Sequence, residues 1–373
     1  MKLTQVKIGE VAEINPRVPK ELVADTDRDV DFIPMAQLSE QGFVTPNGTR
    51  KLGEVIKGYN YFENGDVLVA KITPCMENGK AAYVRGLPQG VAFGSTEFLV
   101  IRPGKELDGR YLFYMIWNDN FRHIAERHMT GTAGQKRVSK DFLSRFPIPL
   151  PPIKEQKRIA SILDKCHRIR GKRLLAVNKT KELLRSQFLS LVGDPFLNTL
   201  DWPSQTLFDL MDVRTGKLDA NAAVEGGQYP FFTCSREDYA IDIHAFDCEA
   251  LILSGNNASA DYSVKFYSGK FNAYQRTYVL TLKNAKHSYP FFKQLLEYKL
   301  NEMKQNSRGT NTKYLTLEFF KRFELLVPSE TVQKKYEIHA NGNAKLSKKL
   351  SASLRKTNSL FDSLLQRAFK GQL

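Results

Sequence analysis

The chain has 373 residues, enough for two domains plus connecting elements, and its 42% hydrophobic content excludes a disordered chain. Its net charge of +15 points to an acidic or polyanionic partner. No apolar run approaches membrane-span length, and the four cysteines (Cys75, Cys166, Cys234, Cys248) form no Cys-x-x-Cys pair, which argues against a structural zinc site and for a reducing compartment.

Taken in order, the chain opens on a stretch, 1–150, that turns polar at once (Met1-Lys2-Leu3-Thr4-Gln5-Val6-Lys7) and offers no leader segment, so a cytoplasmic, membrane-free location is expected. It holds short β-like runs at 66–72 and 97–102 between Gly, Asn and Pro turns, then an aromatic-rich helical stretch at 110–127. Residues 151–195 read as one long helix, opened by Leu150-Pro151-Pro152 with Glu155 at its positive end and stopped by Gly193-Asp194-Pro195. Its apolar positions (Ile159, Ile162, Leu163, Cys166, Ile169, Val177, Leu183, Leu184, Phe188, Leu191) follow helical spacing, and Gly171 is placed to bend its middle. Residues 196–328 repeat the first pattern, with β-like runs at 250–253 and 276–282 and a helical stretch at 289–303. Residues 329–373 read as a second long helix with Leu346, Leu350, Thr357, Leu360 and Leu364 along a heptad seam, its start weakened by Asn341-Gly342-Asn343. Strands first and helix later within each domain predict an α+β class. The two long helices bury their seams most simply on each other, as an antiparallel coiled coil; packing of each helix on its own domain is the alternative.

The two halves match one another. Arg145-Phe146-Pro147-Ile148-Pro149-Leu150-Pro151-Pro152-Ile153-Lys154-Glu155-Gln156-Lys157-Arg158 is answered 177 residues later by Arg322-Phe323-Glu324-Leu325-Leu326-Val327-Pro328-Ser329-Glu330-Thr331-Val332-Gln333-Lys334-Lys335. The same offset carries upstream, where Thr130 to Leu143 meet Ser307 to Phe320, and downstream to Ser186 and Ser363. Fainter echoes pair 65–70 with 248–253 and 6–11 with 205–210. So long a period means two copies of a domain-plus-helix unit rather than a solenoid.

Charge divides along the same borders. Residues 1–150 carry +2 and residues 194–328 carry −1, whereas 151–193 carry +8 and 329–373 carry +6. Two basic segments in matching places favour a nucleic-acid partner, met directly or through a complex. Two similar domains on antiparallel helices would acquire a pseudo-twofold axis, and DNA presents matching faces about 10 base pairs apart.

These motifs resemble the specificity subunit of a type I restriction-modification system. The resemblance rests on the proline-flanked entry with its Glu-Gln pair, Ile148 to Ile159, on the turn Gly131-Thr132-Ala133-Gly134-Gln135, and on the duplication across essentially the whole chain. The second copy departs from it, with Val332-Gln333 for Glu-Gln and Pro328-Ser329 for the double proline. The resemblance implies two pseudo-twofold-related target recognition domains separated by a long antiparallel two-helix coiled coil. It implies no catalysis in this chain, with each domain reading one half of a split, asymmetric double-stranded DNA site. It further implies that the helices set the gap and dock two modification (methyltransferase) subunits bringing S-adenosylmethionine, joined by restriction (motor-nuclease) subunits using ATP with Mg.

Base reading needs Arg or Lys for guanine and Asn or Gln for adenine on loops and element ends. That selects Lys71, Thr73, Asn78, Lys80, Gln135, Lys136 and Arg137 in the first domain, and Asn256, Asn257, Gln275, Arg276, Arg308, Asn311 and Lys313 in the second. Lys71 is aligned with Ser254 and Lys136 with Lys313. A shared lysine cannot explain unlike half-sites, so Lys136 and Lys313 are expected on phosphate. Arg158, Ile162, Arg173, Leu346, Leu350 and Lys349 are the candidates for partner docking, while Lys172, Arg173, Lys348 and Lys349 could face DNA or a partner.

Catalytic motifs are missing. Gly79-Lys80 runs into Ala81 rather than a phosphate-loop Ser or Thr, and Asp194-Pro195-Phe196 reads as a helix stop. His123 and His128 form no metal pattern, His123 being expected as a packed residue, and Asp66 with Lys71 make no nuclease set. Two other readings remain open: a specificity component of a motor-less combined restriction and modification enzyme, and a coiled-coil protein-interaction scaffold without DNA contact.

Overall fold

A computed structural model describes residues 4–46, 48–132, 134–237 and 239–373. Met1 to Leu3 and Ala133 of the first glycine turn lie outside the described residues. The chain forms two compact units, one of Met1–Arg173 with Ser353–Leu373, the other of Leu174–Ala352. Both are mixed α and β. The two long helices are each 40 residues, Ile153–Val192 and Glu330–Phe369, and each is divided between the units.

In the first unit an antiparallel sheet has the order Ala12–Ile14, Phe98–Pro103, Val67–Ala70, Ala81–Tyr83. A second sheet runs Thr49–Lys51, Asp29–Ile33, Val91–Gly94, Asn60–Glu63, with Asp29–Ile33 parallel to Val91–Gly94. The second unit repeats the first order as Met211–Thr215, Thr277–Leu282, Phe246–Ser254, Val264–Ala273. There the ten-residue strand Val264–Ala273 does the work of both Ala81–Tyr83 and Val91–Gly94. Its far end takes Tyr229–Phe232 in parallel, and one six-stranded sheet replaces two of four. The β-like runs of the sequence are therefore all strands, within a few residues of their expected ends.

The faint echo of 6–11 in 205–210 has a structural meaning. Gln5–Lys7 pairs antiparallel with Pro147–Pro149, and Ser204–Thr206 pairs the same way with Glu324–Leu326. The Ile8 amide then donates to the Phe146 carbonyl at 3.1 Å and that of Leu207 to Phe323 at 2.9 Å. Each clasp fixes the strand leading into a long helix.

Neither helix breaks where the sequence suggests weakness. The first runs through Gly171 and the second through Asn341-Gly342-Asn343. At 1.5 Å per residue each extends about 60 Å. Asn343 finds a use there, donating to the Thr180 carbonyl of the first helix at 2.8 Å within the second unit. A glycine with φ +74, Gly193, closes the first helix, its amide bonded to the Leu189 carbonyl.

The helices run antiparallel within each unit. In the first unit Phe361 meets His167, and Arg173 bonds the Ser353 carbonyl and the Thr357 hydroxyl. In the second, Phe188 stacks edge-on with Tyr336 while Thr180 meets Asn343. The buried line of the second helix is Gln333, Tyr336, Thr357, Phe361, Leu365 and Ala368, which corrects the expected seam. Thr357 is on it, but Leu346 and Leu360 are 45% and 55% exposed. The aromatic rings decide the face: Phe361 enters the cluster of Tyr114, Trp117 and His167, and Leu360 lies about 100° around the helix. Ile169 and Leu183, expected on the first seam, are likewise nearly half exposed.

Candidate nucleic-acid interface

The candidate residues converge on one backbone platform, built once in each unit. In the first, a strand end (Lys71 to Thr73) lies between the start of strand Phe98–Pro103 and the return of the glycine turn. The Lys71 amide donates to the Glu97 carbonyl at 2.9 Å, the Val138 amide to the Lys71 carbonyl at 2.9 Å, and the Thr73 amide to the Lys136 carbonyl at 3.0 Å. In the second, the Gly255 amide donates to the Arg276 carbonyl and the Leu315 amide to the Gly255 carbonyl, both at 2.9 Å, while Asn256–Asn257 pairs with Lys313–Tyr314.

The hydrogen bonds fix which residues correspond. Lys71 matches Gly255, one residue on from the expected Ser254; Ser254 matches Ala70 instead, pairing Thr277 as Ala70 pairs Phe98. Glu97 matches Arg276, Thr73 matches Asn257 and Arg137 matches Tyr314. The gapless match also slips within the turn. Thr130 pairs Arg137, seven residues apart, but Arg308 pairs Tyr314, six apart. Gly131 and Gly309, at φ +124 and +98, hold the same place, because a Cβ there would strike the Gln135 or Thr312 carbonyl oxygen. Position in the hairpin overrides the sequence alignment.

Side chains on the two platforms differ in what holds them. Arg137 clamps Glu97 through Nε at 3.0 and 3.2 Å and Nη2 at 2.9 Å, with Lys71 Nζ at 4.0 Å from the same carboxylate. The Arg137 hydrogen bonds hold the Glu97 carboxyl below the usual carboxylate range. Glu97 is a functional neighbour not evident from the sequence, because the Arg137 it restrains lies 40 residues away. Lys80 turns inward to the Met35 carbonyl at 3.2 Å and Thr73 donates to Glu77 at 2.6 Å, so neither points freely outward. Asn78, Gln135 and Lys136 are exposed. In the second unit Asn257 caps Ser259 through its Oδ1, and Gln275 reaches Asp219 at 3.3 Å. Arg276, Arg308 and Asn311 are exposed, whereas Asn256 and Lys313 are half-buried. Lys136, Arg276, Arg308 and Lys313 carry no ion pair among the described residues.

Each platform domain is joined to its long helix by a buried glutamine. Gln156, fully buried, accepts the Asp108 amide at 2.8 Å and donates to the Glu106 and Pro151 carbonyls at 2.9 and 2.8 Å. Gln333 accepts the Ser288 amide at 3.1 Å and donates to Pro328 at 2.8 Å. Asp108 and Ser288 are the N-caps of the aromatic helices Gly109–Ile116 and Tyr289–Tyr298, so one side chain ties a cap to a helix entry in both units. The change from Glu to Val before the second glutamine leaves this joint intact.

Of the docking candidates, Arg158 is exposed and paired with Glu155, Lys349 is exposed, and Ile162 and Leu350 are half-buried. Leu346 presents its side chain to solvent, while Arg173 ties the two helices together. Lys172 and Lys348 are exposed. Asp66, nearly inaccessible, is held by Arg102 Nε at 2.9 Å and Nη2 at 2.8 Å. His123, expected in packing, has a side chain 75% exposed, because Phe121 and Ala125 form the buried face of its helix.

The family model for the type I restriction modification DNA specificity domain matches residues 2–179 and 199–338. The chain is 36% identical over 224 residues to the type I restriction enzyme EcoEI specificity subunit of Escherichia coli, covering 58% of this chain and 37% of that one. It is 38% identical over 222 residues to the EcoAI specificity subunit of the same organism, covering 57% and 37%. The chain thus matches little more than a third of the length of these curated relatives. Its fold is similar to a crystal structure of a type I restriction-modification S subunit from M. genitalium, with TM-score 0.62, 17% identity and coverage of 99% and 96%. It is also similar to a chain from a study of complex assembly and conformational transition of the type I R-M system, with TM-score 0.55 and 18% identity over the full length of both.

Proposed function

The chain belongs to the type I restriction-modification DNA specificity family, and from that premise we propose that it is the non-catalytic DNA-reading subunit of a type I restriction-modification complex. The observation that carries the reading is the platform built twice on one hydrogen-bond pattern and dressed with different side chains. A common backbone with unlike surface groups is what two readers of unlike half-sites need. Lys136 and Lys313, present on both platforms, would hold phosphate, and the unshared residues would choose the base.

The antiparallel helices would act as a coiled-coil spacer fixing the gap between half-sites, their +8 and +6 segments facing DNA or acidic patches on partners. Arg158, Ile162, Leu346, Leu350 and Lys349 would dock two modification subunits, whose S-adenosylmethionine would supply the methyl group. Restriction subunits would add ATP-driven translocation and cleavage, with Mg. Such a complex would work in the cytoplasm. A motor-less combined enzyme would use this chain in the same way.

Co-expression with the cognate modification subunit, followed by genome-wide mapping of methylated adenines, tests the proposal. A split motif with a fixed gap is expected. No new methylation with an active partner would overturn it.

A further inference from the structure

We infer that Arg276 is a specificity-determining residue that reads a guanine in the half-site met by the second unit, an inference that rests on the DNA-reading role just proposed. The two platforms are alike in backbone and opposite in charge at one position. In the first unit that position is Glu97, and the neighbouring strands supply Lys71 and Arg137 to neutralise it. In the second unit the corresponding residues are Arg276, Gly255 and Tyr314. The acid becomes a base, the lysine loses its side chain, and the clamping arginine becomes a tyrosine.

Two consequences follow for Arg276. Its guanidinium is exposed and has no ion pair among the described residues. Its backbone, by contrast, is fixed: the carbonyl accepts from the Gly255 amide at 2.9 Å and from Cys234 Sγ at 3.4 Å, and the next residue, Thr277, is fully buried. A free planar fork on a fixed pedestal suits bidentate recognition of guanine O6 and N7. Gln275 beside it is held by Asp219, and Lys313 lies on the segment paired with Asn256–Asn257, across from it on the same platform. In the first unit Arg137 is closed onto Glu97 and offers no such fork, so the corresponding position of the other half-site is not read in this way.

The test uses the full chain in complex with its modification subunit, reading the methylated motif genome-wide and binding to duplexes that vary each position of the wild-type motif. Arg276→Gln should relax one guanine of one half-site, with about a tenfold or greater loss on the wild-type site, and leave the other half-site and the gap unchanged. Arg276→Lys, which keeps the charge but not the fork, should retain binding to unrelated duplex and still discriminate poorly at that guanine. An unchanged motif in Arg276→Gln would overturn the inference, as would equal loss on every sequence restored by Arg276→Lys, the signature of a phosphate contact. If the wild-type complex itself yields no split motif, the DNA-reading role fails first.

Discussion

Gln156 and Asp108 are joined by one hydrogen bond of 2.8 Å, from the Asp108 amide to the glutamine Oε1, and that bond makes the side chain of a long helix part of another helix's cap. With its two donated bonds, Gln156 satisfies three backbone groups at once, that of Pro151 in a buried bond. Replacing it by alanine leaves all three without partners, at a cost of about 1–3 kcal/mol or more. Gln156→Ala should therefore lower the denaturant midpoint and speed amide exchange around residues 106–116. Gln333→Ala should do the same around residues 287–298. Exchange unaltered in the matching segment would show that the joint is not what holds the cap.

Lys136→Ala and Lys313→Ala should each weaken DNA binding by a similar factor on every sequence. Each should also reduce the slope of log affinity against log salt by about one. Titrations at several salt concentrations read both effects. A changed preferred sequence would contradict the phosphate role.

Glu97→Gln should loosen Arg137, since glutamine offers one acceptor oxygen and no charge where the clamp uses two carboxylate oxygens. The altered residue belongs to the first unit, so only one half-site should shift in the methylation motif. Acid should mimic the substitution. Arg137 depresses the Glu97 carboxyl, so the pair's contribution is present above the ordinary glutamate range and is lost as pH falls through the lowered value. DNA-binding profiles of wild type and Glu97→Gln should diverge at neutral pH and converge in acid.

His167 offers a second pH test. Burial, with Arg170 beside it, pushes its pKa down to about 4, and its ring meets Tyr114, Trp117 and Phe361. The unfolded chain takes up a proton near the ordinary histidine value, which the folded chain refuses. This contribution is whole above about pH 6.5 and lost progressively toward about pH 4. His167→Gln should flatten the stability profile in that window, as followed by urea unfolding at stepped pH.

Inserting four residues into each long helix, near Leu175 and near Ser351, should lengthen the gap of the methylated motif and leave both half-sites as they were. Four residues add about 6 Å of helix. A change within a half-site would contradict a spacer role.

Much of this was legible in the sequence. Pro151-Pro152 and Gly193 bound a helix whatever surrounds it, and the strands at 67–70 and 250–253 announced themselves as short apolar runs. What failed was anything decided by three-dimensional neighbours. Leu346 and Leu360 have the right spacing for a seam, but the larger rings of Tyr336 and Phe361 claim the buried face. Lys71 and Ser254 align as residues, yet the hydrogen bonds put Lys71 in Gly255's place, because the strand partners Glu97 and Arg276 decide the match. Arg137 looked like a reader until Glu97, forty residues away in sequence, stood beside it.

The division of each long helix between the units bears on how the protein is made. Phe361, Leu365 and Ala368 complete the same core as Ile8, Tyr111 and Trp117. On a ribosome, the contiguous stretch 174–352 emerges with everything its own core needs, whereas the unit begun first must wait for residue 361 and beyond. Of the two units, the one begun first is thus the later to close. Its unfinished wall, lined by Tyr114 and Trp117, is where a nascent chain would most need shielding.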